Sequence, residues 1–333
     1  MNRFEYVHAG SVQEAAGLIP GEGRDVKLKG AGIDLLALIK DRVIAPKRVV
    51  SLLRVAELRK IDAGRDGLKI GALVTLAQLG SHDEARKSFK ALAEAASHAA
   101  TPQIRNVATV GGNLCQRPRC WYFRSADFQC LKKGGSQCFA VDGENHFHAI
   151  FGASPCKIIH PSNLAPPLVA LEAKVRVVGP SGERVLTMEE FFDVPGGDVS
   201  VENALKPNEV VVAVEVPSAG WSTGYLEVRE KQSFDWPLVT VAAAVKVEAG
   251  KFKAVRLVFG AVGNKPWRIP AAEKMLEGAK ISDADALAKA AARAYEEAKP
   301  LSQNAYKVAI LRTLIPRALA AASGVEPEGG REY

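Results

Sequence analysis

The apolar and polar positions of the chain fall into three stretches with different periods. Over residues 1–57 strand-like and helical runs alternate: a strand, a helix over 12–18, a strand at Val26-Lys27-Leu28-Lys29, a glycine turn, a helix with apolar residues at helical spacing from Ile33, and a strand at Arg48-Val49-Val50-Ser51-Leu52. A second stretch, 58–218, opens on the strand Leu68-Lys69-Ile70-Gly71-Ala72 and carries the turn signal Pro180-Ser181-Gly182, which predicts a hairpin. From 219 the pattern turns to long strands over 238–247 and 254–261, joined through Glu248-Ala249-Gly250-Lys251. Two helices, over 283–298 and 303–322, follow with regular apolar spacing. Residues 325–333, ending Glu326-Pro327-Glu328-Gly329-Gly330-Arg331-Glu332-Tyr333, read as a disordered tail. The expected class is α+β.

Composition removes some functions without changing that picture. Of 333 residues, 47% are hydrophobic and 24% charged, an ordinary soluble composition with material for two or three packed units. No transmembrane helix is visible. Met1-Asn2-Arg3-Phe4-Glu5-Tyr6 leads directly into an amphipathic segment without the apolar core of a removable export signal, so a cytoplasmic location is expected, with export on a partner's signal as the alternative. The net charge of +7 comes from dispersed Lys and Arg. With no basic run and no aromatic-basic RNA motif, it fits an anionic cofactor or an acidic partner subunit better than nucleic acid. No Ser-His-Asp order, paired-carboxylate site or HExxH motif stands out, so no substrate-transforming centre is expected in this chain.

Two glycine turns carry backbone chemistry. Gly30-Ala31-Gly32 sits between a strand and a helix, where glycines let main-chain N–H groups approach a ligand and the new helix end offers unsatisfied donors to negative charge. The third glycine of a Rossmann fingerprint is absent, and alone this turn also reads as ligand-free punctuation. Thr101-Pro102-Gln103-Ile104-Arg105-Asn106-Val107-Ala108-Thr109-Val110-Gly111-Gly112-Asn113-Leu114 supplies a second diglycine turn, with Thr109 and Asn113 as side-chain donors. Followed at once by a cysteine-rich loop, the two look like one composite cofactor site. Beyond that loop, His160-Pro161-Ser162-Asn163 places Ser162 or Asn163 as a helix N-cap.

All five cysteines lie between residues 115 and 156: Cys115, Cys120, Cys130, Cys138 and Cys156. An odd number in a chain without its own export signal argues against structural disulfides. The last four are separated by nine, seven and seventeen residues, without the close C-x2-4-C pair that brings two ligands to one zinc ion. A [4Fe–4S] cube tolerates wider spacing because each corner iron takes one thiolate. Spacing alone leaves zinc open. His146 and His148 lie in the same loop, where solvated or hydrogen-bonded roles are commoner than ligation.

These elements together resemble the FAD-binding subunit of the xanthine dehydrogenase family, the molybdenum hydroxylases. The resemblance rests on Gly30-Ala31-Gly32-Ile33-Asp34-Leu35-Leu36, Ile104-Arg105-Asn106 with Thr109-Val110-Gly111-Gly112-Asn113, His160-Pro161-Ser162-Asn163, and Gly260-Ala261-Val262-Gly263-Asn264-Lys265-Pro266-Trp267-Arg268 followed by Ala271-Ala272-Glu273. It implies a two-part FAD-binding domain of the PCMH/VAO type, with subdomains over 1–57 and 58–218, then a C-terminal flavoprotein domain over 219–324 with an antiparallel sheet and helices. The loop Asn113-Leu114-Cys115-Gln116-Arg117-Pro118-Arg119-Cys120-Trp121-Tyr122-Phe123, part of an insertion over 114–158, is similar to the branch of bacterial periplasmic-type aldehyde oxidoreductases, whose flavin subunit carries an additional [4Fe–4S] cluster.

Carried over residue by residue, the resemblance implies FAD held by Lys29, Gly30, Ala31, Gly32, Ile33, Asp34, Leu35, Thr109, Gly111, Gly112, Asn113, Ser162 and Asn163. The [4Fe–4S] cluster would be held by Cys120, Cys130, Cys138 and Cys156, with Cys115 spare. Three positions depart from the family pattern. Asn163 replaces a frequent Asp, Ile33 replaces the Thr before Asp34, and Glu227 stands where related chains often have a Lys near the flavin ring. The implied function is that of an electron-exit subunit in a heterotrimer, with a large molybdenum-cofactor subunit that hydroxylates aldehydes, a small subunit with two [2Fe–2S] clusters, and an external acceptor. Alternatives are the flavin subunit of a 4-hydroxybenzoyl-CoA reductase-like enzyme, running electrons the other way, and a non-catalytic zinc-binding scaffold.

Overall fold

A computed structural model describes residues 1–20 and 25–325; of the expected tail over 325–333, residues 326–333 lie outside the described residues. Three sheets follow one another along the chain. The first has three strands in the order Glu5–His8, Arg48–Ser51, Val26–Lys29, all parallel. Parallel neighbours need crossovers, and the helices Val12–Gly17 and Ile33–Lys40 supply them. Val12, Ala15 and Ala16 bury one helix face against Val26 and Val50, all under 8% exposed.

The second sheet is antiparallel, ordered Ile61–Gly64, Gly67–Gly71, Val210–Pro217, Lys174–Gly179, Gly182–Thr187. Its last two strands form the hairpin, closing at Gly179↔Gly182 with Gly182 at φ +99°. Helices Leu76–Ser81 and Lys90–His98 share its hydrophobic core, and Lys90–His98 lies against the strand Ser222–Arg229, where Ala91 N donates to Thr223 Oγ1 at 3.1 Å and Leu92 is completely buried.

The third sheet, Trp267–Arg268, Lys251–Gly260, Pro237–Glu248, Ser222–Arg229, is antiparallel throughout. Lys251–Gly260 begins three residues earlier than its apolar run because Ala249 and Gly250, at φ +48° and +73°, make the tight hairpin turn between Glu248 and Lys251. Helix Tyr306–Ser323 packs on this sheet through Leu311, Leu314 and Leu319, and Ala284–Tyr295 packs on that helix within the same core through Ala290 and Ala294. The last helix starts later than its periodicity because Asn304 is buried in the preceding turn, where its Oδ1 accepts from Leu301 N at 2.7 Å. The architecture is mixed α+β, and no helix among the described residues is long and apolar enough to cross a membrane.

Candidate cofactor sites

The first glycine turn joins the strand Val26–Lys29 to the helix Ile33–Lys40. Gly32 is the helix N-cap at φ +90°, and having no side chain it leaves the first-turn N–H groups without a side-chain acceptor. Gly30 lies against Thr109, with an added Cβ only 3.1 Å from Thr109 Oγ1. Thr109 in turn caps the short helix Val110–Leu114, its hydroxyl accepting from Gly112 N at 3.1 Å.

The two turns and Asn163 line one cavity of about 530 Å³. Lys29, Gly30, Ala31, Gly32, Ile33, Asp34, Leu35, Thr109, Gly112 and Asn113 all contribute to it. Gly111 and Ser162 do not line this cavity. Gly111 is a glycine because of the turn after the strand Gly67–Gly71: its N–H donates to Ala72 O at 2.9 Å, and a Cβ would stand 3.0 Å from Ala72 Cβ. Ser162 acts one step back, donating to Asn113 Oδ1 at 2.6 Å while accepting from Ala165 N at 3.0 Å, and so fixes the Asn113 amide; the N-cap of the helix Ala165–Ala170 is Leu164, not the expected Ser162 or Asn163. Asn163 rests on Glu227, whose Oε2 accepts from Asn163 Nδ2 at 3.5 Å and from Tyr225 OH at 2.9 Å. Burial raises the Glu227 carboxyl above its ordinary value, against the pull of Arg229 at 3.4 Å.

Asp34 lines the cavity, but its carboxylate is turned to the cysteine loop. It accepts from Arg117 N at 2.8 Å and Arg124 Nη2 at 2.6 Å, and pairs with Arg119 Nη1 at 2.9 Å. Arg119 stacks on Trp236 at 4.5 Å, and burial lowers its guanidinium to about 10. Periodicity misses two further contributors to the cavity, Ser200 to Asn203 and Phe234 to Trp236. Each comes from a connection outside any periodic run. The only sequence trace is the Phe234 and Trp236 pair, both still partly exposed, with Phe234 at φ +63°.

The remaining cysteines gather elsewhere. All five are free thiols; Cys115 lines the large cavity, where burial pushes its thiol up to about 12. Cys120, Cys130, Cys138 and Cys156 line a second, small space walled by Tyr122, Phe123, Phe139 and Ile158. Main-chain groups approach three of the sulfurs: those of Phe123 and Tyr122 at Cys120, Lys157 and Ala140 at Cys138, Ile158 at Cys156. Cys138 and Cys156 hydrogen-bond to each other, which pulls Cys138 down to about 6 and drives Cys156 up, while burial pushes Cys120 up to about 11. His148 Nε2 is 3.2 Å from Cys120 Sγ; His146 stacks on Tyr306 away from the sulfurs. Four soft donors, amide contacts to sulfur and apolar walls are the chemistry that an iron–sulfur cube requires. The space between the sulfurs has room for about one water-sized sphere, ≈ 10 Å³, so a cube would part the hydrogen-bonded pair Cys138 and Cys156.

Comparison with known proteins bears on the whole chain. Residues 2–219 match the family described as FAD binding domain in molybdopterin dehydrogenase, and residues 225–322 match the CO dehydrogenase flavoprotein C-terminal domain. The chain is 34% identical over 331 residues to the aldehyde oxidoreductase FAD-binding subunit PaoB of Escherichia coli K12, covering 97% of this chain and 99% of that one. It is 28% identical over 325 residues to the carbon monoxide dehydrogenase medium chain of Hydrogenophaga pseudoflava, covering 96% and 97%. A solved structure of carbon monoxide dehydrogenase from that organism superposes with a TM-score of 0.76 at 27% identity, over 97% of this chain and 98% of the other. The chain therefore belongs to the FAD-binding subunits of the molybdenum hydroxylase family, as a subunit of an oxidoreductase complex.

Proposed function

We propose that this chain carries both FAD and a [4Fe–4S] cluster and serves as the electron-exit subunit of a heterotrimeric, molybdenum-dependent aldehyde oxidoreductase. The observation that carries the reading is the pairing of two sites: glycine-turn residues line one cavity, four cysteines line a second, and residues 115–120 run from one to the other. FAD when bound supplies exchange between one-electron carriers and one- or two-electron acceptors. For their part, Gly30 and Gly32 keep the turn open to a diphosphate, the uncapped first turn of Ile33–Lys40 offers it N–H groups, and Ser162 holds Asn113 in place.

Among the described residues no three His, Cys, Asp or Glu side chains converge on a single metal position. Four thiols lining one space match a cluster that takes one thiolate per iron. Similarity to an aldehyde oxidoreductase FAD-binding subunit and to a medium chain supports aldehyde as the substrate class and an assembly with further subunits; the family resemblance implies that these are a molybdenum-cofactor subunit and a small subunit with two [2Fe–2S] clusters. With no second dinucleotide fingerprint in the sequence, dyes, oxygen or a ferredoxin-like carrier are the expected acceptors in preference to NAD.

The test is flavin and iron analysis of the full chain purified without air. The Cys130→Ser variant should lose iron, whereas Cys115→Ser should keep about four irons per chain, one per thiolate. Equal iron loss in both would mean a different ligand set. Reduction of the assembled complex by aldehydes supports the oxidative direction; reduction only by a low-potential ferredoxin, with an aroyl-CoA as sink, would reverse it.

A further inference from the structure

We infer that Tyr6 is a positioning residue for the glycine-turn site: its hydroxyl accepts from the Lys29 ammonium and holds that charge over Gly30 and Gly32 as the counter-charge of a bound diphosphate. The inference rests on the reading of the large cavity as the FAD site, and it adds a residue outside both glycine turns and outside the cavity lining.

Lys29 ends the strand Val26–Lys29, and its side chain folds back over the turn that follows. A Cβ added at Gly32 would stand 2.8 Å from Lys29 Cε, so the aliphatic stem crosses Gly32, and Nζ donates to Gly30 O at 3.3 Å. Lys29 is only 9% exposed, and a cation buried to that degree ordinarily has a carboxylate beside it. The carboxylates of the cavity are committed elsewhere. Asp34 pairs with Arg119 and Arg124, Glu202 with Arg117 and Lys132, and Asp235 accepts from Trp236 N at 2.8 Å. Among the described residues the partners of Lys29 Nζ are two neutral oxygens, Gly30 O and Tyr6 OH, each at 3.3 Å. An ammonium has three donors, so one donor and the whole charge are left for an anion at the turn.

Tyr6 holds this arrangement from the first strand. Lys29 and Ser51 are register partners at the C-terminal ends of parallel strands, the edge of such a sheet beyond which ligands bind. The Tyr6 hydroxyl is in hydrogen-bond contact with fully buried Ser51 as well as with Lys29, and the two together lower the phenol from its ordinary value. The phenol is thereby tied to the strand beside Lys29, and the ammonium is fixed at the turn before any ligand arrives. A lysine placed in advance gives up less side-chain freedom when the anion binds, which appears as affinity.

The experiment titrates FAD and riboflavin into the deflavinated full chain at low and high salt, for wild type, Lys29→Met, Tyr6→Phe and the double variant. Methionine keeps an apolar stem over Gly32 and removes the charge; phenylalanine keeps the ring and removes the hydroxyl. Lys29→Met should weaken FAD binding about ten-fold, the loss expected for a contact to a charged group, and flatten its salt dependence. Tyr6→Phe should weaken it about three-fold, and the double variant should match Lys29→Met alone, because the hydroxyl acts through the ammonium. Riboflavin, which carries no phosphate, should bind every form alike. Wild-type FAD affinity in Tyr6→Phe, or losses that add in full in the double variant, overturns the role of Tyr6. Wild-type FAD affinity in Lys29→Met, or an equal loss for riboflavin, overturns the counter-charge itself. If Lys29→Met does not fold, Tyr6→Phe decides: weaker FAD binding with unchanged riboflavin binding supports the proposal, and any other result overturns it. A wild-type chain that binds no FAD overturns the cofactor reading and this proposal together.

Discussion

Gly30 and Gly111 show how one residue type serves two purposes at a site. An added Cβ at Gly30 meets Thr109 Oγ1 at 3.1 Å and Leu73 Cδ2 at 3.4 Å at the edge of the large cavity, whereas at Gly111 it meets Ala72 in the turn that follows the strand Gly67–Gly71. Gly30→Val should fold and bind FAD about ten-fold more weakly, a loss of roughly 1.4 kcal/mol. Gly111→Val should instead lower the unfolding midpoint, by overpacking that costs about 1–3 kcal/mol. Flavin content after dialysis and thermal denaturation separate the two; a Gly30→Val chain that keeps wild-type flavin affinity removes this turn from the site. The glycine turns themselves are legible in sequence, because a strand-to-helix junction marked by glycine is a local signal. Which glycine faces ligand is not, because Ala72 lies 39 residues before Gly111 in the chain and only the folded sheet brings them together.

At the scale of elements, the helix Ile33–Lys40 ties the two sites together. Its first turn lines the large cavity, while Asp34 and Leu38, one turn apart on the same face, meet the cysteine loop. Asp34 accepts from the Arg117 main chain and from Arg124, and Leu38, 1% exposed, packs with Tyr122, Phe123, Cys130 and Ala140. The helix was readable from its period and glycine cap. Its partners were not, since Arg117 and Arg124 lie 83 and 90 residues away from Asp34 and the loop that carries them has no period of its own. Leu38→Ala should cost about 2–5 kcal/mol, as for other buried leucines truncated in a core. Its first effect should fall on the loop: in a chain that holds the proposed cluster, faster iron release to a chelator, with the secondary structure of the third sheet retained. Iron release at the wild-type rate would show that the loop holds its shape without this helix.

Across the whole molecule the cysteine loop is anchored on three sides. The helix Ile33–Lys40 holds one, the segment around Glu202 a second through Arg117 at 3.0 Å and buried Lys132 at 2.7 Å, and the C-terminal helix the third. On that third side Asn145 and Gln303 exchange two hydrogen bonds, at 3.0 and 2.9 Å. There too Lys307, fully buried, donates to Phe147 O at 3.1 Å and Ala261 O at 2.8 Å. Burial lowers the Lys307 ammonium from 10.5 to about 7. Between those two values the unfolded chain holds the proton and the folded chain does not, so stability rises with pH; below about 7 both states are protonated and the penalty of the buried charge is present in full. One proton limits the slope to the order of 1 kcal/mol per pH unit. Urea denaturation of wild type and Lys307→Met from pH 6 to pH 10 should therefore give a wild-type curve that gains stability above pH 7 relative to the variant. The variant leaves two carbonyls without a donor, which costs about 1–3 kcal/mol at every pH and cancels from the comparison of slopes. Parallel curves would mean that Lys307 keeps its proton in the folded chain, and that the join between the cysteine loop and the last helix is built around a buried cation.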